Sequence, residues 1–310
     1  MLASRPMQRL RWRLSLGLAS VVALPSACEL VVSLNHLDDG KGAAQVDAAP
    51  DAADAQVETS DTEAEAATSA EDGGSCLTLQ GQSAVLIVTA AARYCIDSTE
   101  VTNAQYGQFL TSIEAAPGKA VRPMGCEMQT DFTPRLDATH VAWPAAPGTD
   151  RYPVVVVNWC QAYAYCKWAG KRLCGNIGGG PTVQKNLVLL QEAPQSQWMY
   201  ACSKGGAMMY PYPPGNTFDL NACGGIGSGV ALGDVGSQTR CVGAYPGIHD
   251  MSGSVWEWVD SCGSVSPQAN CTALGGAFDS HAPELECSGF RFAQRTTGGN
   301  NVGFRCCQDL

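Results

Sequence analysis

Gly247-Ile-His-Asp-Met-Ser-Gly-Ser-Val-Trp-Glu-Trp-Val259 is the stretch on which the reading of this chain turns. Trp256 and Trp258 flank Glu257 directly after the turn Ser252-Gly253-Ser254. On a strand, alternate side chains point to opposite faces, so the two rings share one face and Glu257 is aimed at the other. A carboxylate beside two large apolar rings is costly to bury without a partner. Two kinds of partner suit it. One is an arginine in the core. The other is a hard cation such as Ca²⁺, held by Asp250, Glu257 and the carbonyl oxygens of the turn between them. The residues leave both open.

Outward from this stretch the chain divides into three parts. Residues 1–28 carry Arg5, Arg9, Arg11 and Arg13 and no acidic residue, then an apolar run from Leu14 to Leu24 that is short for a bilayer span, then Ser26-Ala27-Cys28. That layout is a secretory signal, and the protein is expected to be exported. The small residues before Cys28 resemble a bacterial lipobox, with Pro25 where Leu is usual and Leu24 one place early. The resemblance implies lipidation of Cys28 and anchoring to the bacterial cell envelope without a spanning helix; ordinary cleavage nearby is the alternative. Residues 29–75 hold twelve Asp/Glu, one basic residue (Lys41) and no aromatic residue. Such a segment buries too little apolar surface to offset its ordering entropy, and its charge keeps it extended. It reads as a disordered acidic tether, a spacer in preference to a partner-binding tail.

Residues 76–310 form the third part and suit one domain with a sizeable core. The chain carries −10, yet these residues, with 14 basic and 17 acidic side chains, are near neutral. No basic patch argues for nucleic acid. They contain fourteen cysteines, and an even number in an exported chain implies up to seven disulfides. Zinc is excluded by spacing, because no paired C-x-x-C occurs and His36, His140, His249 and His281 are scattered.

Several elements are readable within this domain. Thr102-x-x-Gln105 is a capping box, and Tyr106, Phe109, Leu110 and Ile113 follow on one helical face, so a helix is expected over Glu100–Glu114. Pro117 to Tyr152 is Pro-rich and reads as loop. Pro153-Val-Val-Val-Val157 reads as a short buried strand, and Asn158 as the cap of a second helix from Trp159 to Ala169, ended by Gly170. Gly175 to Ala193 reads as a loop insertion. Its Gly178-Gly179-Gly180 lacks the Lys-Ser/Thr and the preceding strand of a phosphate loop. A third helix is expected over Gln195–Cys202, stopping at Gly205-Gly206.

His249 to Val259 is similar to the D-M-x-G-N-V-W-E-W signature of the formylglycine-generating enzyme family, also called sulfatase-modifying factors. Tyr94–Tyr106 resembles that family's opening motif. Pro153–Leu173 resembles its second signature, with Cys174 in place of the proline that follows. Leu274–Ser280, Cys287–Arg295 and Asn301–Cys306 resemble its closing motifs, so the resemblance spans residues 93 to 307. It implies an α+β, loop-rich, C-type-lectin-like domain with low regular secondary structure. Carried over by position, it implies one Ca²⁺ site at the side chains of Asn221 and Asp234 with the carbonyls of Ala222 and Gly236. A second site maps to Asp250, the carbonyls of Gly253 and Val255, and Glu257. It also implies a disulfide between Cys166 and Cys306, whose loop of about 140 residues is worth about 4–5 kcal/mol in chain-entropy models. Cys174, close to the third helix in sequence, is expected to pair with Cys202.

Active members of the family hold Cu(I) with two cysteines and, with O₂, oxidise a sulfatase cysteine to formylglycine. Two soft thiolates are what Cu(I) needs. Here the first position is Ser280, in Gly275-Gly276-Ala277-Phe278-Asp279-Ser280, and the second is Cys287, with Arg291 and Arg295 following it. A serine hydroxyl is hard and protonated at neutral pH, so it does not replace a thiolate. The family's usual partner of Cys202 is Phe292 here, and Cys287 is expected in a disulfide with Cys262, Cys271 or Cys307. Two readings follow. One is a non-catalytic, membrane-tethered, calcium-stabilised module binding a peptide or protein ligand in the family's substrate groove. The other is an oxidase with rearranged ligands. A sulfoxide synthase of the ergothioneine type needs a separate histidine-bearing domain that these residues do not include. A count of free thiols separates the first two.

Overall fold

The computed structural model describes Cys76, Thr78 and residues 82–310 except 137–141 and 188–189. The signal, the tether, Cys28, His36 and His140 lie outside the described residues. Local signals set the helices. Helix α1 (Asn103–Ala115) begins at Thr102, whose hydroxyl accepts the Gln105 N–H while the Gln105 side chain accepts the Thr102 N–H. Helix α2 (Trp159–Trp168) repeats this box with Asn158 and Gln161. The expected start of α1 at Glu100 is three residues early, because the Val101 N–H is committed to the Phe304 carbonyl. Helix α3 (Gln197–Ser203) is capped by Ser196 and closes on Lys204 in the left-handed region at φ 53°, one residue ahead of the expected glycines. Helix α4 (Leu220–Cys223) is a single turn capped by Asp219. Among the described residues no helix is long and apolar enough to cross a membrane.

Eight strands follow the chain: β1 (Ala84–Val88), β2 (Arg93–Asp97), β3 (Arg172–Leu173), β4 (Trp256–Cys262), β5 (Asn270–Leu274), β6 (Phe290–Gln294), β7 (Val302–Phe304) and β8 (Cys306–Asp309). They form two four-stranded sheets in the orders β1-β2-β8-β3 and β6-β5-β4-β7. All pairs are antiparallel except β4 with β7. Since β7 belongs to one sheet and β8 to the other, Arg305 between them stands where the chain passes from sheet to sheet. The alternation expected of β4 is observed. Trp256 and Trp258 join the core formed with α1 and α2. Val259 and Leu274 join a second core with Trp198 of α3. The buried indole N–H groups find carbonyls, Trp258 on Val157 at 3.0 Å and Trp159 on Val259 at 2.8 Å.

Pro153–Val157 is not a strand. Pro153 makes one bridge with Thr102, the Val154 and Val156 N–H groups donate to Val101 and Gly299, and Val156 adopts φ 64°. Val154, Val156 and Val157 are buried all the same. The valine run reports burial on an irregular path, since a β-branched residue at positive φ cannot continue a ladder.

Seven disulfides pair all fourteen described cysteines: Cys76–Cys95, Cys126–Cys160, Cys166–Cys306, Cys174–Cys307, Cys202–Cys287, Cys223–Cys241 and Cys262–Cys271. Cys166–Cys306 is as expected. Cys174 does not reach Cys202. The antiparallel register of β3 on β8, with Arg172 opposite Cys307, brings the end of β3 beside that cysteine instead. Cys202 takes Cys287, and the three partners foreseen for Cys287 are committed elsewhere. Cys262 and Cys271 face each other across β4 and β5.

Candidate functional site

Arg305 is fully buried. Its Nε and Nη2 donate to the two oxygens of Glu257, each at 2.7 Å. Nη2 also donates to the His249 carbonyl at 2.8 Å, and Nη1 to the carbonyls of Asp97 at 3.1 Å and Ser98 at 3.2 Å. A guanidinium has five N–H groups, and all five are committed. The Oε2 of Glu257 further accepts the Trp198 indole N–H at 2.7 Å. Of the two partners the sequence left open for Glu257, the arginine is in place, which leaves one lone pair on Oε1.

The turn before β4 is strained. Asp250 lies at φ 61°, Gly253 at 79° and Ser254 at 56°. Non-glycine residues in this region cost on the order of 1–3 kcal/mol each and collect at ligand sites. Gly253 is required twice over, since a Cβ there would meet the Cys223 carbonyl at 2.6 Å. Asp250 is 4% exposed, and its Oδ2 accepts the Gly236 N–H at 2.5 Å. The structure thus joins one residue of the first expected Ca²⁺ loop to the second. The others of that loop are placed as follows. Asp234 faces Arg151 at 3.2 Å, Asn221 is exposed on α4, and Ala222 is buried beside it.

One residue of this region was missed. Glu100 is fully buried, and neither of its carboxylate oxygens has a hydrogen-bond partner. Arg305 Nη2 stops 4.0 Å away. Burial first, then the charges of Asp250 and Glu257, push its carboxyl well above the usual range. Ser254 favours the charged form without reaching hydrogen-bond geometry. Asp250 is also raised, chiefly by burial, against the pull of the Gly236 N–H and Arg305. The nearby His249 Nδ1 is buried without a partner too. The available signal was an acidic residue set between apolar Ile96 and Val101 on a segment entering the core. Its place just ahead of the capping box makes it look like the first residue of the helix expected over Glu100–Glu114.

Among the described residues no three His, Cys, Asp or Glu side chains form a ready ligand cluster, so a cation here needs main-chain carbonyls as well. The donor set suits Ca²⁺, being hard, anionic and incompletely partnered. The copper position is different. Cys287 is buried in its bond with Cys202, and the buried Ser280 accepts the Ala277 N–H at 3.1 Å. As paired here, these residues do not fit Cu(I). Elsewhere, a cleft of about 660 Å³ beside α1 is lined by Leu110, Ile113, Arg122, Asp131, Phe132 and Trp143.

Residues 55–310 match the sulfatase-modifying factor enzyme 1-like domain. The bovine (Bos taurus) inactive C-alpha-formylglycine-generating enzyme 2 is 30% identical over 182 residues, 53% of this chain and 54% of that protein. The formylglycine-generating enzyme of Thermomonospora curvata is 30% identical over 250 residues, 67% of this chain and 75% of that one. The chain spans about half the length of the bovine relative. Among solved structures, PvdO from Pseudomonas aeruginosa superposes with a TM-score of 0.48 at 19% identity, covering 72% of this chain and 83% of that one. The matched length and the shared motifs lead to one conclusion: this chain belongs to the sulfatase-modifying factor, or formylglycine-generating enzyme, family.

Proposed function

We propose that this protein is a non-catalytic member of its family, a calcium-stabilised, disulfide-stapled module that binds a peptide or protein ligand in the groove where an enzyme of this family holds its substrate. Lipid on Cys28 tethers it to the bacterial cell envelope. The observation that carries the reading is the pairing of every described cysteine, Cys287 included, together with Ser280 in the first copper position. Asp250, the carbonyls of Gly253 and Val255, and the free lone pair of Glu257 would hold the Ca²⁺. The ion would neutralise buried charge and fix the strained turn. Replacing Cys28 by Ser and fractionating cells tests the tether. A wild-type protein already soluble refutes it.

The competing reading is a copper-dependent oxidase, favoured by the match to the Thermomonospora enzyme. It requires the Cys202–Cys287 bond to open. The deciding experiment incubates the domain, oxidised and reduced, with Cu(I), O₂ and a peptide carrying C-x-P-x-R, and follows loss of sulfur by mass. We expect no aldehyde in either state. Aldehyde formed over many turnovers overturns the module.

A further inference from the structure

We propose that the free edge of β6 is a docking strand for an extended peptide of another chain, one with apolar side chains at two alternate positions and an acidic side chain between them. This edge is independent of the groove in the proposed function and of its calcium site. Hydrogen bonding alternates along an antiparallel pair. The Gly275 N–H donates to the Gly289 carbonyl and the Arg295 N–H to the Ala269 carbonyl, in the same register that sets Asn270 opposite Gln294 and Leu274 opposite Phe290. Arg291 and Ala293 therefore turn their backbone groups to β5, and Phe290, Phe292 and Gln294 turn theirs outward. The Gln294 carbonyl takes the Thr297 N–H. The N–H and C=O of Phe290 and Phe292 and the N–H of Gln294 have no partner among the described residues. Natural edges are often blunted by lysine, proline or a bulge. The β6 strand has no lysine or proline, and its register on β5 is unbroken from Phe290 to Gln294. The bond of Cys287 to Cys202 just ahead of it holds the strand in place.

The side chains define the occupant. Phe290 is 39% and Phe292 45% exposed, on one face of the sheet, with ring centroids 5.1 Å apart. An added strand places a side chain opposite each ring, where aromatic and β-branched residues pair well. Arg291 points to the other face. Its guanidinium lies over the Trp256 ring at 5.9 Å and donates to Asn301 Oδ1 at 3.1 Å, and no carboxylate of the described residues pairs with it. The position opposite Arg291 is a non-hydrogen-bonded one, at which side chains of neighbouring strands come closest. An acid there meets a cation that has no charged partner. Size argues against a second copy of this chain. A stable dimer buries more than about 1,000 Å², and this short edge with two half-exposed rings provides a fraction of that. A peptide that joins a sheet needs less, since main-chain bonds supply its affinity and alternate side chains its specificity.

The probe is the capped pentapeptide Thr-Val-Glu-Val-Thr, added to the full-length protein while amide exchange is followed by NMR. Without peptide, the Phe290 and Phe292 amides should exchange faster than those of Arg291 and Ala293; with peptide they should slow. N-methylation of either valine should abolish binding and N-methylation of the glutamate should leave it unchanged, because only the valine N–H groups face β6. These changes are made in the peptide and leave the protein's folding untouched. Replacing the peptide's glutamate by lysine should weaken binding about fivefold or more, and Arg291→Glu should reverse that order. No binding of the probe overturns the proposal, as does a preference for glutamate that survives in Arg291→Glu. A peptide that binds but slows amides elsewhere also overturns it and leaves the groove reading standing. Phe290 and Phe292 amides already slow in the peptide-free protein, with sedimentation as a dimer, would assign the edge to a second copy and refute the peptide.

Discussion

The sulfur atoms and the carboxylates at the heart of this domain are buried to similar depth, yet their valences are filled to different degrees. Every described cysteine has a covalent partner, and the residue that stands where a further thiolate is needed is a serine. Around Arg305, by contrast, Glu257 accepts three hydrogen bonds and keeps one lone pair, Asp250 accepts one at Oδ2, and neither oxygen of Glu100 has a hydrogen-bond partner. The difference teaches where chemistry remains available. A saturated group stabilises; an unsaturated one recruits something. On the proposed reading the sulfur region is scaffold, and the carboxylate region is where a ligand would bind.

The contrast can be broken from the sulfur side first. Cys166→Ala with Cys306→Ala opens a loop with a sequence separation of 140, and chain entropy sets the loss at about 5 kcal/mol. Urea unfolding of the oxidised protein should show it. An unmoved midpoint would mean that the pairing adds nothing to the scaffold. Next comes Arg305→Met, which leaves three carboxylates with no counter-charge. Breaking a buried ion pair costs about 3–5 kcal/mol, and added Ca²⁺ should recover part of it through mass action. Indifference to this change would show that the carboxylates are neutral and the contrast illusory.

Restoring the copper position sharpens the same comparison. Ser280→Cys with Ala277→Ser should bind no Cu(I) in competition with a chelator, because Cys202 still holds Cys287. Adding Cys202→Ala should create binding. Copper held by the double variant alone would show that the disulfide is no lock. The smallest effect is expected at Asp309. Burial works against its charge, but the hydrogen bonds and charge of Arg172 win and hold its carboxyl below the usual range. A depressed folded pKa stabilises above the unfolded value, and that contribution is lost as pH falls through the folded one. Asp309→Asn should therefore lower the melting temperature slightly at neutral pH and not once the pH has fallen below the folded pKa of Asp309. An equal loss at both would assign the effect to packing.

Features written in short stretches were legible. The capping boxes at Thr102 and Asn158 need only four consecutive residues, and both form. The alternation of Trp256, Glu257 and Trp258 needs only three. What stayed hidden depends on partners far along the chain. Cys174 meets Cys307 through the register of β3 on β8, which no local pattern sets. The isolation of Glu100 follows from where Arg305, 205 residues later, directs its donors. The valine run at 153–157 misled because apolar content reports depth, not hydrogen bonding.

The placing of β8 between β2 and β3 bears on the order in which the protein can be made. Residues 302–309 carry the parallel partner of β4, the guanidinium beneath Glu257, the central strand of the first sheet, and the cysteines that tie it to α2 and to the end of β3. Until that octapeptide leaves the ribosome, everything upstream lacks its keystone. Neither sheet is complete without it, so the decisive step of assembly joins this segment to elements far upstream, and the bonds of Cys306 and Cys307 lock that step only where thiols can be oxidised.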